Sequence, residues 1–168
     1  MDVTTIRSLH EYDAWATERI LSCCEQLSVE DLTGAAAVPW GSIRNQFVHT
    51  FIVHRRWLSW ADGALSAEDA YALTADPMDY PHLDALREMW SDVQQQNRVF
   101  LNRITSELLL KPLQVERPGF AFSIPTWHVM MHIAHHGMQH RTESAVALTE
   151  LGASPGDIDY LFFAMEQT

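Results

Sequence analysis

The stretch Trp127-His128-Val129-Met130-Met131-His132-Ile133-Ala134-His135-His136-Gly137-Met138-Gln139-His140-Arg141 decides how the chain is read. His128, His132, His136 and His140 stand at strict four-residue steps, with His135 beside them. On an α-helix such a step turns the side chain by only about 40°. Successive imidazoles therefore point the same way, one turn apart, and a His-x-x-x-His pair can clamp one metal ion from a single helix. Neutral imidazole suits zinc, nickel, iron or copper, with geometry choosing among them. Pro125 fits the first turn of this helix and Gly152 its stop, so it runs to about Leu151.

Working outward, the pattern stays helical. Ile6, Leu9, Ala16, Ile20, Cys23 or Cys24 and Leu27 recur at three- and four-residue steps, a first amphipathic helix from about Thr4 to Leu27, ended by Ser28-Val29-Glu30-Asp31. Thr33 to Trp40 reads as a connection. Ser42 is a candidate N-cap for a second helix reaching Asp62-Gly63. Its middle, Phe47 to Val53, is apolar on nearly every side, so it should be buried on more than one face. Residues 64–82 read as a long loop. Leu83, Leu86, Trp90, Val93, Phe100, Leu101, Ile104 and Leu108 form the inner stripe of a third helix to about Leu110. Ser154-Pro155 can start a short last helix to about Ala164. No strand is convincing, although Phe120 to Ser123 could be extended. Four long helices argue for an all-α four-helix bundle with a short C-terminal helix.

The 168 residues, 47% hydrophobic and without a Pro/Gly/Ser-rich linker, suit one domain spanning 1–168. Eleven Lys+Arg against 22 Asp+Glu give a net charge of −11, which repels phosphate backbones and argues against nucleic-acid binding. It also works against anionic membranes. No apolar run approaches the roughly 20 residues a membrane span needs. The N-terminus lacks the pattern of a signal peptide. The two cysteines, Cys23 and Cys24, are adjacent and form no disulfide framework, so a reducing, cytoplasmic setting is expected.

Two histidines do not close a metal site. His49, mid-helix in an apolar stretch, is the strongest third ligand, because facing helices of a bundle are where ligands converge. A lone buried histidine is more often simply hydrogen-bonded; the pair on the other helix raises its standing. Three histidines would leave a coordination position open, as in catalytic rather than closed structural sites. His128 and His135 read as bystanders. His132 repeats the spacing to His136 and remains an alternative. His10, His54 and His82 have no partner identifiable in the sequence. Gly-rich phosphate loops, a Gly-x-Ser-x-Gly elbow and His-Glu-x-x-His are absent, and no Glu precedes a His by three residues, which argues against di-iron carboxylate bundles.

These residues resemble the DinB/YfiT-like family. Tyr12-Asp13-Ala14-Trp15-Ala16 is similar to its opening Tyr-Asn-x-Trp-Ala. Gly41-Ser42-Ile43, His49, Trp57 and Gly63 follow its second helix. His132, His136-Gly137 and His140-Arg141 are close to its His-x-x-x-His-Gly-x-x-His-Arg, and Pro155-Gly156-Asp157-Ile158-Asp159-Tyr160 to its ending. The match covers about residues 5–165 and is weakest between 64 and 123. The resemblance implies a four-helix bundle of unusual topology, commonly a dimer, with one divalent ion (zinc, nickel, iron or manganese) on His49, His136 and His140. Two positions depart from the pattern. Thr142-Glu143 replaces the usual Gly-Gln, leaving Glu143 free to hold a ligating imidazole, to ligate, or to face solvent. Asp13 replaces Asn, facing the site or capping the apolar stripe.

The resemblance also implies a function. Relatives include transferases and isomerases that use low-molecular-weight thiols. A metal with an open position can deprotonate a thiol, and the thiolate can add to an electrophile, a detoxifying S-transfer. The alternatives are a non-catalytic metal-binding stress-response protein and a metal-dependent hydrolase.

Overall fold

A computed structural model of the chain describes residues 2–167, Arg117 by its backbone alone. Its helices are α1 (Val3–Cys23), α2 (Val29–Thr33), α3 (Ile43–Ala61), α4 (Ala67–Ala72), α5 (Leu83–Arg103), α6 (Ser106–Leu110), α7 (Thr126–Glu150) and α8 (Tyr160–Glu166). Between α6 and α7 lies an antiparallel hairpin, β1 (Pro112–Arg117) and β2 (Phe120–Pro125). The chain is thus mostly helical, with one small sheet.

The long helices α1, α3, α5 and α7 form the bundle. α7 packs on both α1 and α3, and α5 packs on the same two from the opposite side. α1 and α3, consecutive among the long helices, therefore stand diagonally across the bundle rather than side by side. That crossing is the unusual element of the topology. The remaining helices are short and sit around this frame; α8 docks on α1, where Tyr12 Oη donates to the Ile158 carbonyl at 2.9 Å and Trp15 Nε1 to Glu166 Oε2 at 2.7 Å.

Local chemistry accounts for the helix ends. Ser42 accepts from the Asn45 amide and starts α3, as its position in the sequence predicts. Gly63, with φ of +73°, ends it in the left-handed region that glycine adopts without strain. Four sequence expectations need correction. Ser28 ends no helix but begins α2, with a full capping box to Asp31. The third helix stops at Arg103, and Thr105 caps the separate α6. Residues 112–125 form a true hairpin, turning at Pro118-Gly119, and the loop 64–82 contains α4 and a 3-10 turn at Pro77–Asp79.

The apolar core falls into two clusters. One holds Ile20, Phe51, Trp90 and Leu148; the other holds Ile6, Leu58, Phe100, Met130 and Ile133. Each such side chain contributes about 1.5–3 kcal/mol by leaving water. Between the clusters every long helix supplies buried polar groups at one level: His10 and Asp13, His54, Gln94 and Asn97, and His140 and Arg141. Asp13, 1% exposed, pairs directly with Arg141, 4% exposed. Gly137 makes that pairing possible, because a Cβ there would collide with the Asp13 carboxylate and the Arg141 guanidinium. Asp13 therefore faces inward, bound to the residue next to His140. No helix among the described residues is long and apolar enough to cross a membrane.

Candidate metal centre

The polar layer opens toward solvent where α3 meets α7, and there three imidazoles converge. His136 Nε2 lies 3.2 Å from His49 Nε2 and 3.1 Å from His140 Nε2. One ligand atom from each of the three falls within 4.8 Å of the others. Metal–nitrogen bonds of 2.0–2.1 Å in tetrahedral geometry separate two nitrogens by ~3.3 Å. The two short separations are close to that figure, so the donor set fits one divalent ion.

Protonation suits the same role. Burial, then the neighbouring His140, pushes His136 down to about 3; burial, His140 and Arg56 push His49 down to about 4, against the pull of Glu143. Both imidazoles are therefore neutral near pH 7 and offer a lone pair, the form a metal requires.

His140 is oriented from behind. Its Nδ1 lies 2.6 Å from Glu143 Oε2 and 2.7 Å from the Gln46 amide nitrogen, and that amide donates to the same Glu143 oxygen. A carboxylate only accepts, so the proton sits on Nδ1 and the lone pair on Nε2, facing His136 and His49. Carboxylate–histidine pairs of this kind fix the tautomer of ligating imidazoles. Of the three placements open to Glu143 in the sequence, the hydrogen bond to the imidazole is the one observed. Burial pushes Glu143 up, but the hydrogen bonds from His140, Gln139 and Gln46 outweigh it and leave the carboxyl below its ordinary value. Trp40 stacks on His49 with centroids 3.9 Å apart and planes 20° apart, covering one side of the cluster. His49 and His136 remain half-buried and His140 is buried, so solvent reaches the first two rings in part.

The other histidines separate cleanly. His132 meets Trp57 edge-on at 4.9 Å and lies outside the converging group. His128 is exposed and stacks on Trp127, and His135 is exposed. His10 and His54 belong to the polar layer: His10 Nε2 faces the Met130 carbonyl at 3.1 Å, and His54 Nδ1 lies 3.7 Å from Asp13. His82 caps α5. Sequence reasoning overlooked Gln46 and Trp40. Gln46 stands one turn before His49 on a buried helix, a readable signal; Trp40 lies in a connection and gives none.

The DinB family model matches residues 1–168. The chain belongs to the DinB family. It is 24% identical over 165 residues to Protein DinB of Bacillus subtilis (strain 168), covering 95% of this chain and 94% of that one. The motifs read in the sequence thus sit within a whole-length DinB match, and two histidines of the last long helix, His136 and His140, meet His49.

Proposed function

We propose that this DinB-family protein holds one divalent ion on His49, His136 and His140 and acts as a transferase that joins a low-molecular-weight thiol to an electrophile. The observation that carries the reading is the Glu143-oriented His140 beside two neutral, half-buried imidazoles. A divalent ion there supplies Lewis acidity, favouring the thiolate form of a small thiol near neutral pH. The chain's own residues do the rest. Glu143, itself held by the Gln46 amide, fixes the His140 ring and its tautomer. Burial keeps His49 and His136 unprotonated, and Trp40 fixes the His49 ring plane. A reducing, cytoplasmic setting suits such chemistry, because free thiols persist there.

Self-association into a homodimer is part of the proposal. Leu161 and Phe162 on α8 are 67% and 41% exposed, apolar area that a partner copy would cover.

The test is conjugation of a panel of small thiols to a generic electrophile, with and without chelator. Turnover should require both metal and thiol, rise with pH as the thiolate fraction rises, and vanish in His49→Ala while persisting in His128→Ala. Rates unchanged by chelation, or no rate above background for any thiol, would refute it.

A further inference from the structure

Past the histidine cluster, the same side of α3 continues through Val53 and Trp57, four and eight residues beyond His49. There it lines a cavity of about 440 Å³ closed by α4 and the β1–β2 hairpin. Its walls are aromatic. Trp57 and Trp60 lie 5.7 Å apart, Phe122 meets Trp60 edge-on at 6.1 Å, and Phe120 packs on Phe122 at 5.5 Å. Two of the lining rings are turned outward rather than buried: Phe120 is 59% and Tyr71 69% exposed. Large apolar rings exposed around a concavity are a mark of ligand-binding sites.

One charge stands among the described lining residues. Arg56 Nε donates to the Leu73 carbonyl at 2.6 Å, and its guanidinium lies 5.6 Å from the Tyr71 ring centroid. Those contacts hold the planar cation at the aromatic wall and leave its terminal nitrogens outside that bond. A guanidinium presented this way takes a carboxylate through two parallel hydrogen bonds. The whole chain carries −11, so general attraction would not bring an anion here; among the described lining residues, Arg56 is the group that favours acids. The cavity wall adjoins the cluster through packed rings: Trp57 meets His132 at 4.9 Å, and His132 lies 5.6 Å from the ring of His136.

We propose that this cavity binds a flat, apolar aromatic acid, its rings against Trp57, Trp60 and Phe122 and its carboxylate on Arg56. Its role as the seat of the electrophilic substrate rests on the transferase reading; binding does not. The volume lies in the lower range of small-molecule sites, about 300–1,000 Å³, and suits a molecule of two fused rings. Aromatic walls whose planes are inclined to one another offer a flat ring both stacked and edge-on contacts.

The experiment titrates naphthalene-2-carboxylate and the neutral naphthalene-2-carboxamide into the full chain by calorimetry, before and after chelation, following the Trp57 indole N–H by NMR. The acid should bind at least about 10-fold more tightly than the amide, with or without metal, and shift the Trp57 resonance. Arg56→Gln should weaken the acid by about 10- to 100-fold, to the level of the amide, the range expected for losing hydrogen bonds to a charge. Phe122→Ala should weaken both probes. Phe120→Ala, at a ring 59% exposed, should do so to a smaller extent. Equal binding of acid and amide, an unmoved Trp57 signal, or acid binding indifferent to Arg56→Gln would overturn the proposal. Acid binding as described, in a protein that conjugates no thiol, would keep the cavity and refute the transferase; conjugation without probe binding would do the reverse.

Discussion

Replacing Asp13 by alanine should destabilise the metal-free protein more than any surface change. Asp13 is 1% exposed and its partner Arg141 4% exposed, so the mutation strips the counter-ion from a guanidinium already out of water. What remains near Arg141 is the Thr17 hydroxyl at 3.4 Å and the Tyr12 ring at 5.5 Å, neither of them an anion. Breaking a buried pair from one side typically costs about 3–5 kcal/mol. That is a large share of the roughly 5–15 kcal/mol that holds a domain folded. For a chain of 168 residues it corresponds to a fall in Tm of roughly 6–20 °C, at about 2–4 °C per kcal/mol. Urea unfolding followed by circular dichroism measures it. The double variant Asp13→Ala/Arg141→Met should recover a large part of the loss, because no unpaired charge stays behind. A single variant within about 1 kcal/mol of wild type, or a double variant no better than the single, would refute the view of a dry, obligatory pair.

Three further outcomes are expected. Glu143→Gln should weaken metal affinity by about 10- to 100-fold with unchanged stoichiometry, read by competition with a coloured chelator; undiminished affinity would contradict the orienting role. Stability of the metal-free protein should fall as pH drops from about 6.5 toward 4. Burial holds His54 at about 4 and pushes His10 below its usual value, so the unfolded chain takes up protons first and gains on the folded state. His54 alone accounts for on the order of 3 kcal/mol over that window, and urea midpoints that do not differ between pH 7 and pH 5 would contradict it. Gly137→Ala should destabilise by about 1–3 kcal/mol despite alanine's better helix propensity, because its methyl group would push α1 from α7; a raised Tm would show that the contact yields easily.

The site was legible where it depends on spacing within one helix. His136 and His140 follow from the four-residue step, and His49 from its place in an apolar run, because both signals are local. What surrounds them was not, since it depends on which helices are neighbours. Gln46 reaches Glu143 only because α3 packs on α7, and Asp13 finds Arg141 only because α1 lies on the other side of α7. The buried His10 and His54 looked partnerless for the same reason: their meeting across the bundle, ring centroids 6.1 Å apart, requires the diagonal placement of α1 and α3. The hairpin had a short alternation, Leu113 and Val115 partly buried between exposed Gln114 and Glu116, too brief to compete with the helical stripe before it. Likewise Leu108 to Leu110 continued the apolar stripe across Thr105, which hid the break before α6.

Metal analysis of the untagged protein tests the central claim most directly. Wild type and His136→Ala are purified side by side, loaded with excess zinc, nickel, iron or manganese, desalted, and assayed for metal per chain, with circular dichroism to confirm the helices. The arrangement of His49, His136 and His140 predicts one tightly held ion per wild-type chain and none in the variant. Stoichiometric metal in His136→Ala, or a wild-type protein that retains none of the four, would contradict it.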